Sequence, residues 1–228
     1  MNAALRHPIV CVEGLNSPSP RWLTAASLAA HWNGINLPFA QRFLSDSRLS
    51  DERFPFRKPK TSEWPPLWAV ELLTEVWSEA DNAAREGKRA VLDTDPFWPL
   101  WCRWIYAETF GGQTPEQLRD FYRPRLLSGA LRFPDVYLFY THDYAVRLRT
   151  ESSFLAQERY FQTMAKLAPR RVVFLDESEM FWNEKRVVDF AVAHAPRFTS
   201  SPERDVALFD ALNEWLATYG PESEKDFQ

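Results

Sequence analysis

The amino-acid sequence predicts a three-layer α/β/α fold, in which a five-stranded parallel sheet lies between two layers of helices. The first observation is the order of segments, because short apolar stretches alternate with longer stretches of helical periodicity. The second is that the short stretches are apolar at nearly every position, which is typical of strands buried on both faces. The length of 228 residues is enough for a large core, and we expect one domain over residues 1–228.

Five short segments are the predicted strands of this sheet. Most of them are rich in β-branched or aromatic residues and are bounded by polar or turn-forming residues. They cover residues 8–13, 35–40, 89–93, 135–140 and 171–175. Glycine, serine and proline follow the first strand, and this composition predicts a turn over residues 14–20.

The segments between and after the strands are predicted helices. Leu67, Val70 and Leu73 recur at the spacing of one helix face, and Gly87 follows as a cap. The predicted helices cover residues 21–32, 67–86, 97–110, 114–127, 145–167 and 203–218. Residues 43–66 show no clean periodicity and predict a long loop, whereas residues 221–228 predict a polar tail.

Composition and charge exclude several classes of protein. With 27 Lys+Arg and 31 Asp+Glu residues, the net charge is −4, whereas a general nucleic-acid binder usually carries excess positive charge. Cys11 and Cys102 are too few for a disulfide framework or a four-cysteine zinc site. We see no apolar run long enough to span a membrane and no secretory signal. We therefore expect a cytoplasmic protein whose partner is a small molecule, not a nucleic acid or a membrane.

The ends of three predicted strands carry residues that bind ligands or move protons in other proteins. A loop follows Glu13, Asp93 and Asp95 flank a threonine after the third strand, and Thr-His-Asp follows the fourth at residues 141–143. Ligands of parallel α/β sheets bind at the carboxyl ends of the strands. We therefore expect these three segments to form one site.

The order of these parts resembles that of the P-loop nucleoside and nucleotide kinases of the deoxynucleoside kinase and thymidylate kinase type. Residues 12–14 (Val-Glu-Gly) are similar to the strand end and first glycine of that family's phosphate loop. Residues 147–151 (Arg-Leu-Arg-Thr-Glu) and 158–160 (Glu-Arg-Tyr) are similar to its lid, which the resemblance places at about 143–168. The resemblance spans residues 8–178. It implies a P-loop-kinase-like fold, with ATP and Mg²⁺ as cofactors and a nucleoside or nucleotide as the ligand.

The phosphate loop departs from the family's pattern, G-x-x-x-x-G-K-[ST]. Ser19, Pro20 and Arg21 occupy the positions of the second glycine, the lysine and the hydroxyl residue. Pro18 and Pro20 also lack the backbone N–H groups of a phosphate cradle. We interpret the segment as a degenerate phosphate loop. The positions that the resemblance assigns to phosphate or nucleotide binding are Glu13, Gly14, Asn16, Ser17, Ser19 and Arg21.

Two aspartates stand where the kinase family places a general base or a magnesium partner. The resemblance implies that Asp93 is the base and a metal ligand, and that Asp95 contacts the substrate. The alternative is structural, because an aspartate before Pro96 is a good helix N-cap.

Arginines and a tryptophan complete the predicted site. The resemblance implies that Arg147 and Arg149 act in catalysis, since guanidinium groups suit phosphate oxygens, and that Arg103 and Arg159 contact the substrate. The alternative for the lid arginines is a solvated helix with neighbouring glutamates as partners. Trp98 has two interpretations as well: it stacks on a nucleobase, or it belongs to the core or a subunit interface.

Two functions follow from these features. One is a kinase-like phosphotransferase that acts on a nucleoside-type or other small hydroxyl substrate. The alternative is a catalytically inactive, kinase-like protein that keeps the scaffold and binds a ligand or a protein partner. The degenerate loop favours the second function, whereas Asp93 and the lid arginines favour the first. The aromatic fraction of 15% is compatible with a homodimer.

Overall fold

The sheet has five parallel strands in a computed structural model that describes residues 7–14, 18–45, 68–101, 115–141, 152–176 and 201–218. The strands are β1 (Ile9–Glu13), β2 (Ile35–Leu37), β3 (Ala90–Leu92), β4 (Val136–Thr141) and β5 (Val172–Asp176). Their order in the sheet is β2-β3-β1-β4-β5, and each neighbouring pair is parallel. The predicted sheet is thereby confirmed.

Six longer helices lie in the described part of the chain. They are α1 (Pro18–His31), α2 (Phe39–Ser45), α3 (Trp68–Arg85), α4 (Pro115–Ser128), α5 (Ser152–Leu167) and α6 (Pro202–Thr218). Residues 98–101 also begin a helical turn. Most of the predicted loop at 43–66 and all of the predicted tail at 221–228 lie outside the described residues.

Three predicted boundaries are wrong. Residues 43–45, predicted as the start of the long loop, complete helix α2. Helix α1 begins at Pro18, inside the predicted turn, because proline fits the first helical turn without losing a hydrogen bond. Strand β2 ends at Leu37, and the residues predicted to extend it begin helix α2 instead. The reason is a residue far away in the sequence. The carboxylate of Asp93 accepts the N–H of Phe39 at 2.8 Å and caps helix α2.

Helices cover both faces of the sheet, and side chains alternate between two cores. On β1, Ile9 and Cys11 join the core beneath α3, α4, α5 and α6, whereas Val10 and Val12 join the core beneath α1. All four side chains are fully buried. A strand buried on both faces needs apolar residues at consecutive positions, which is the pattern that predicted three layers.

Aromatic packing holds the turn that follows β3. The ring of Phe97 stacks on that of Phe133 with centroids 3.8 Å apart and also contacts the ring of Tyr122 at 5.1 Å. The hydroxyl of Tyr122 donates to the carbonyl of Pro96 at 3.1 Å. The core therefore fixes the turn that carries Asp95 at its C-terminal end, where Phe97 packs.

A buried aspartate joins helix α6 to the edge of the sheet where strands β4 and β5 begin. The carboxylate of Asp205 accepts from the guanidinium groups of Arg132 at 3.1 Å and Arg171 at 3.2 Å, which precede β4 and β5. Asp205 is fully buried, and the arginines are mostly buried. In the described part of the chain, no helix is long and apolar enough to cross a membrane.

Candidate functional site

The carboxyl edge of the sheet brings the predicted strand ends together. Strands β1 and β3 are neighbours, so the segment after Glu13 lies beside the segment that holds Asp93 and Asp95. Gly14 leaves β1 with φ +92°, and a Cβ built on it would lie 2.3 Å from the carbonyl oxygen of Tyr140 on β4. Glycine is therefore required at the position where the chain leaves β1.

Glu13 connects three elements of this edge through both of its carboxylate oxygens. Oε1 accepts the backbone N–H of Asp95 at 2.5 Å, and Oε2 accepts the side-chain amide of Gln157 at 2.9 Å. The carboxylate is fully buried. Sequence reasoning assigned Glu13 to nucleotide binding and missed Gln157. A signal for Gln157 does exist, because it precedes Tyr160 by three residues and so shares its helix face.

Asp95 is fully buried, and its described hydrogen bonds reach one oxygen. Oδ1 accepts the N–H of Phe97 at 3.0 Å and the hydroxyl of Tyr137 at 2.8 Å. The bond to Phe97 lies at the start of the helical turn at 98–101, as the capping interpretation of Asp95 predicts. Oδ2 has no hydrogen-bond partner in the described structure.

Burial changes the acidity of the groups around Asp95. Burial first, and the negative charge of Glu13 second, raise the pKa of Asp95 to about 7, against the lowering effect of its hydrogen bonds with Phe97, Tyr137 and Trp101. Burial also raises the pKa values of Tyr137 and Tyr160 well above the ordinary range, with the charge of Asp95 as the next cause. Both hydroxyls therefore remain protonated and can donate.

Asp93 holds helix α2 against the end of β3. Its Oδ1 accepts the N–H of Phe39 at 2.8 Å, and the hydroxyl of Thr94 donates to its backbone carbonyl at 2.8 Å. The residue is 1% exposed. Among the described residues, no group of three or more His, Cys, Asp or Glu side chains could hold a metal ion. Mg²⁺ usually takes one or two carboxylate ligands and completes its shell with phosphate and water, so Asp93 alone could serve as a protein ligand to it.

The other predicted site residues fall into two groups. Trp98 is 8% exposed, packs at 6.4 Å from the ring of Phe39 and belongs to the core, which agrees with one of its two interpretations. Arg159 is partly buried on α5. The predicted residues Asn16, Ser17, Arg103, Arg147 and Arg149 lie outside the described residues, as do the side chains of Ser19 and Arg21.

Comparisons with known proteins bear on the fold. No family model and no curated protein matches the chain. Among solved structures, thymidylate kinase from Candida albicans matches with a TM-score of 0.53 and 12% identity over 86% of this chain and 96% of that chain. A structure of NadR in complex with NR matches with a TM-score of 0.49 and 16% identity, over 83% of this chain and 51% of that chain. The first match confirms that this chain has a P-loop-kinase-like fold.

Proposed function

We propose that this protein is a kinase-like phosphotransferase that acts on a nucleoside-type or other small hydroxyl compound. Support comes from one observation: Glu13, Asp93 and Asp95 meet at the carboxyl ends of two neighbouring strands in a kinase-like sheet. Ligands of such sheets bind at this edge, and a carboxyl group there can accept the proton of an attacking hydroxyl.

In this proposal Asp93 is the general base. Its Oδ1 holds the N–H of Phe39, which orients the carboxyl group, so proton acceptance falls to Oδ2. Because Asp93 is 1% exposed, the substrate has to displace a covering group to reach it. Arg147 and Arg149 stabilise the charge of the transferred phosphoryl group. The substrate side comprises Asp95, Trp98, Arg103 and Arg159.

ATP and Mg²⁺ are the donor and metal that this reaction would use. Helix α1 begins at Pro18, four positions after Gly14 in the sequence, and a helix N-terminus attracts phosphate through its N–H groups and its dipole. Arg21 lies in the first turns of that helix. We propose that arginine replaces the missing lysine as the cation on the phosphate side, with Asn16, Ser17 and Ser19 as further donors.

A second candidate is a kinase-like protein that binds a ligand or a protein partner without phosphoryl transfer. The specific observation in its favour is that Pro18 and Pro20 lie in the first turn of α1. Proline has no N–H, so two of the donors that a helix N-terminus offers to phosphate are missing. In this case the loop is degenerate because donor binding has been lost.

Two measurements separate these candidates. The first is transfer of labelled phosphate from ATP to a panel of nucleosides and nucleoside monophosphates, with and without Mg²⁺. We expect transfer by the wild type and its loss in Asp93→Asn, which keeps the acceptor for Phe39 but removes the base. The matched control is Asp135→Asn at the opposite edge, where the carboxylate accepts the N–H of Ile9 at 2.8 Å.

The second measurement is thermal stability with the same ligands, because a ligand that binds the folded state raises the unfolding midpoint. Stabilisation by nucleosides without any transfer would overturn the phosphotransferase and leave the binding protein. Absence of both would overturn the phosphotransferase and favour the partner-binding scaffold or unrelated chemistry. We also expect a homodimer and no binding to nucleic acid, which sedimentation and a gel-shift assay measure.

A further inference from the structure

The side chain of Glu13 reaches beyond the end of the backbone ladder that joins β1 to β3. That ladder ends where Cys11 pairs with Leu92. The ladder on the other side of β1 continues to the pair of Glu13 and Phe139, so β4 holds the backbone of Glu13. Its Oε1 then accepts the N–H of Asp95 at 2.5 Å. This hydrogen bond extends the connection between β1 and the segment after β3 past the last ladder pair.

The turn after β3 is built around Asp95. The backbone carbonyl of Asp95 accepts the N–H of Trp98 at 3.0 Å, and its Oδ1 accepts the N–H of Phe97 at 3.0 Å. Asp93, the proposed base, lies two positions earlier in the same segment. Displacement of the Asp95 backbone would therefore move the part of the chain that carries both aspartates.

A glutamine on α5 determines which way the Glu13 carboxylate faces. Nε2 of Gln157 donates to Oε2 of Glu13 at 2.9 Å, while Oε1 faces the N–H of Asp95. Gln157 is 5% exposed and Glu13 is fully buried, so water has little access to replace the amide. Helix α5 is itself fixed, because the ring of Phe161 packs 4.8 Å from that of Phe139, the β4 residue that pairs with Glu13. The donor and the carboxylate are thus held by the same strand.

We propose that Gln157 is a positioning residue, whose side-chain amide holds Glu13 against the N–H of Asp95. This contact fixes the turn that presents the two aspartates to the substrate. The inference rests on the proposed phosphotransferase function and adds to it a residue that touches no reacting atom. Glu13 acts here through the hydrogen bonds that it accepts. Orientation of this kind matters because a misplacement of about 1 Å can reduce a rate about 100-fold.

The kinetics of Gln157→Leu test this role, because leucine removes the donor and keeps a buried side chain. We expect kcat to fall about 10- to 100-fold and the KM for the hydroxyl substrate to rise, since Asp95 lies on the proposed substrate side. The KM for ATP should stay unchanged, because β4 still holds the backbone of Glu13. A variant that merely contained less folded protein would lower kcat and leave both KM values unchanged. Wild-type values of kcat and of the KM for the hydroxyl substrate would overturn the proposal.

Gln162 provides a matched control on the same helix. Its Nε2 donates to Oε1 of Glu158 at 3.2 Å, but this pair is exposed on the surface of α5. Gln162→Leu therefore removes a glutamine–glutamate contact from α5 without affecting the sheet, and its kcat and KM should equal those of the wild type. Equal losses in Gln162→Leu and Gln157→Leu would overturn the proposal, because they would trace the effect to the stability of α5.

Exchange of the two side chains separates position from charge. In the double variant Glu13→Gln/Gln157→Glu, the side-chain carbonyl at position 13 can accept the N–H of Asp95, and the amide at position 13 can donate to the carboxylate at position 157. Gln157→Glu alone places two carboxylates face to face in a buried site, which is unfavourable. We expect the double variant to recover at least about tenfold in kcat over Gln157→Glu. Failure to recover would overturn the proposal, since the charge of Glu13 would then be what the reaction needs.

The amide proton of Asp95 reports the contact in the absence of any reaction. A short hydrogen bond to a carboxylate moves an amide proton downfield in NMR spectra, and we expect this position in the wild type and in Gln162→Leu. In Gln157→Leu the proton should move upfield. A wild type without the downfield proton, or a proton that stays in place in Gln157→Leu, would overturn the proposal. If the wild type transfers no phosphate but the proton moves as expected, the phosphotransferase function fails, whereas positioning of the turn by Gln157 is supported.

Discussion

Replacement of Gly14 by alanine would test how closely the end of β1 approaches β4. Gly14 has φ +92°, and its new Cβ would lie 2.3 Å from the carbonyl oxygen and 2.7 Å from the amide nitrogen of Tyr140. Both obstructing atoms are backbone atoms of a central strand, so neither can rotate away. The substitution therefore combines an unfavourable backbone conformation with a steric clash.

A matched glycine separates these two contributions. Gly87, which follows α3, has φ +83°, but no heavy atom lies within 4 Å of the position that a Cβ would take there. A non-glycine residue at such a φ costs about 1–3 kcal/mol. Overpacking that forces the backbone to shift costs about 1–3 kcal/mol more. We therefore expect Gly14→Ala to destabilise the protein by about 1–3 kcal/mol beyond the loss caused by Gly87→Ala.

Urea unfolding followed by tryptophan fluorescence measures the difference, since the chain has 10 tryptophans. Gly129→Ala provides a second control, because Gly129 also has positive φ, at +73°, and open space around it. Losses of stability that are equal at positions 14, 87 and 129 would refute the reasoning, because they would show that β1 and β4 do not meet at Gly14. A difference confined to position 14 would support the close approach.

Two other side-chain contacts predict measurable effects. Asp205→Ala leaves the guanidinium groups of Arg132 and Arg171 without their shared carboxylate, and we expect a loss of about 3 kcal/mol in urea unfolding; a loss below about 1 kcal/mol would show that the arginines find water instead. Tyr137→Phe removes a hydrogen bond that lowers the pKa of Asp95, so the pH at which infrared spectra of ¹³C-aspartate-labelled protein lose the C=O stretch of a protonated Asp95 should rise. An unchanged midpoint would mean that the Tyr137 hydroxyl does not bind the ionised carboxyl group.

The sheet could be predicted from sequence because its signal is local. Residues 9–12 of β1 are consecutive, apolar and fully buried, and strands of this type alternate with helices along the chain. Helix α3 could be predicted in the same way, since the spacing of Val70 and Leu73 already defines its buried face. In each case, neighbours in the sequence determine the pattern, so no knowledge of the strand order is needed.

The short helix α2 and the contacts of Glu13 could not be predicted in the same way. The cap on Phe39 comes from Asp93, which is 54 positions away in sequence, and the partner of Glu13 on α5 is 144 positions away. Both contacts depend on the order of the strands in the sheet. The hydrophobic pattern identifies strands but does not give their order in the sheet. A carboxylate at a strand end also looks the same in the sequence whether it caps a helix or binds a substrate.

The raised pKa of Asp95 offers a way to decide which of the two aspartates would act as a base. Asp95 can accept a proton only after it has lost its own, so a reaction that depends on it should accelerate as pH rises through about 7. Glu13, with both oxygens accepting hydrogen bonds, orients the backbone of Asp95 and the side chain of Gln157. If Asp93 is the base instead, Asp95→Asn should still permit transfer, with a raised KM because Asp95 lies on the proposed substrate side, and its kcat should keep the wild-type dependence on pH. The pH profile of Asp95→Asn therefore distinguishes a base from a residue that only contacts the substrate.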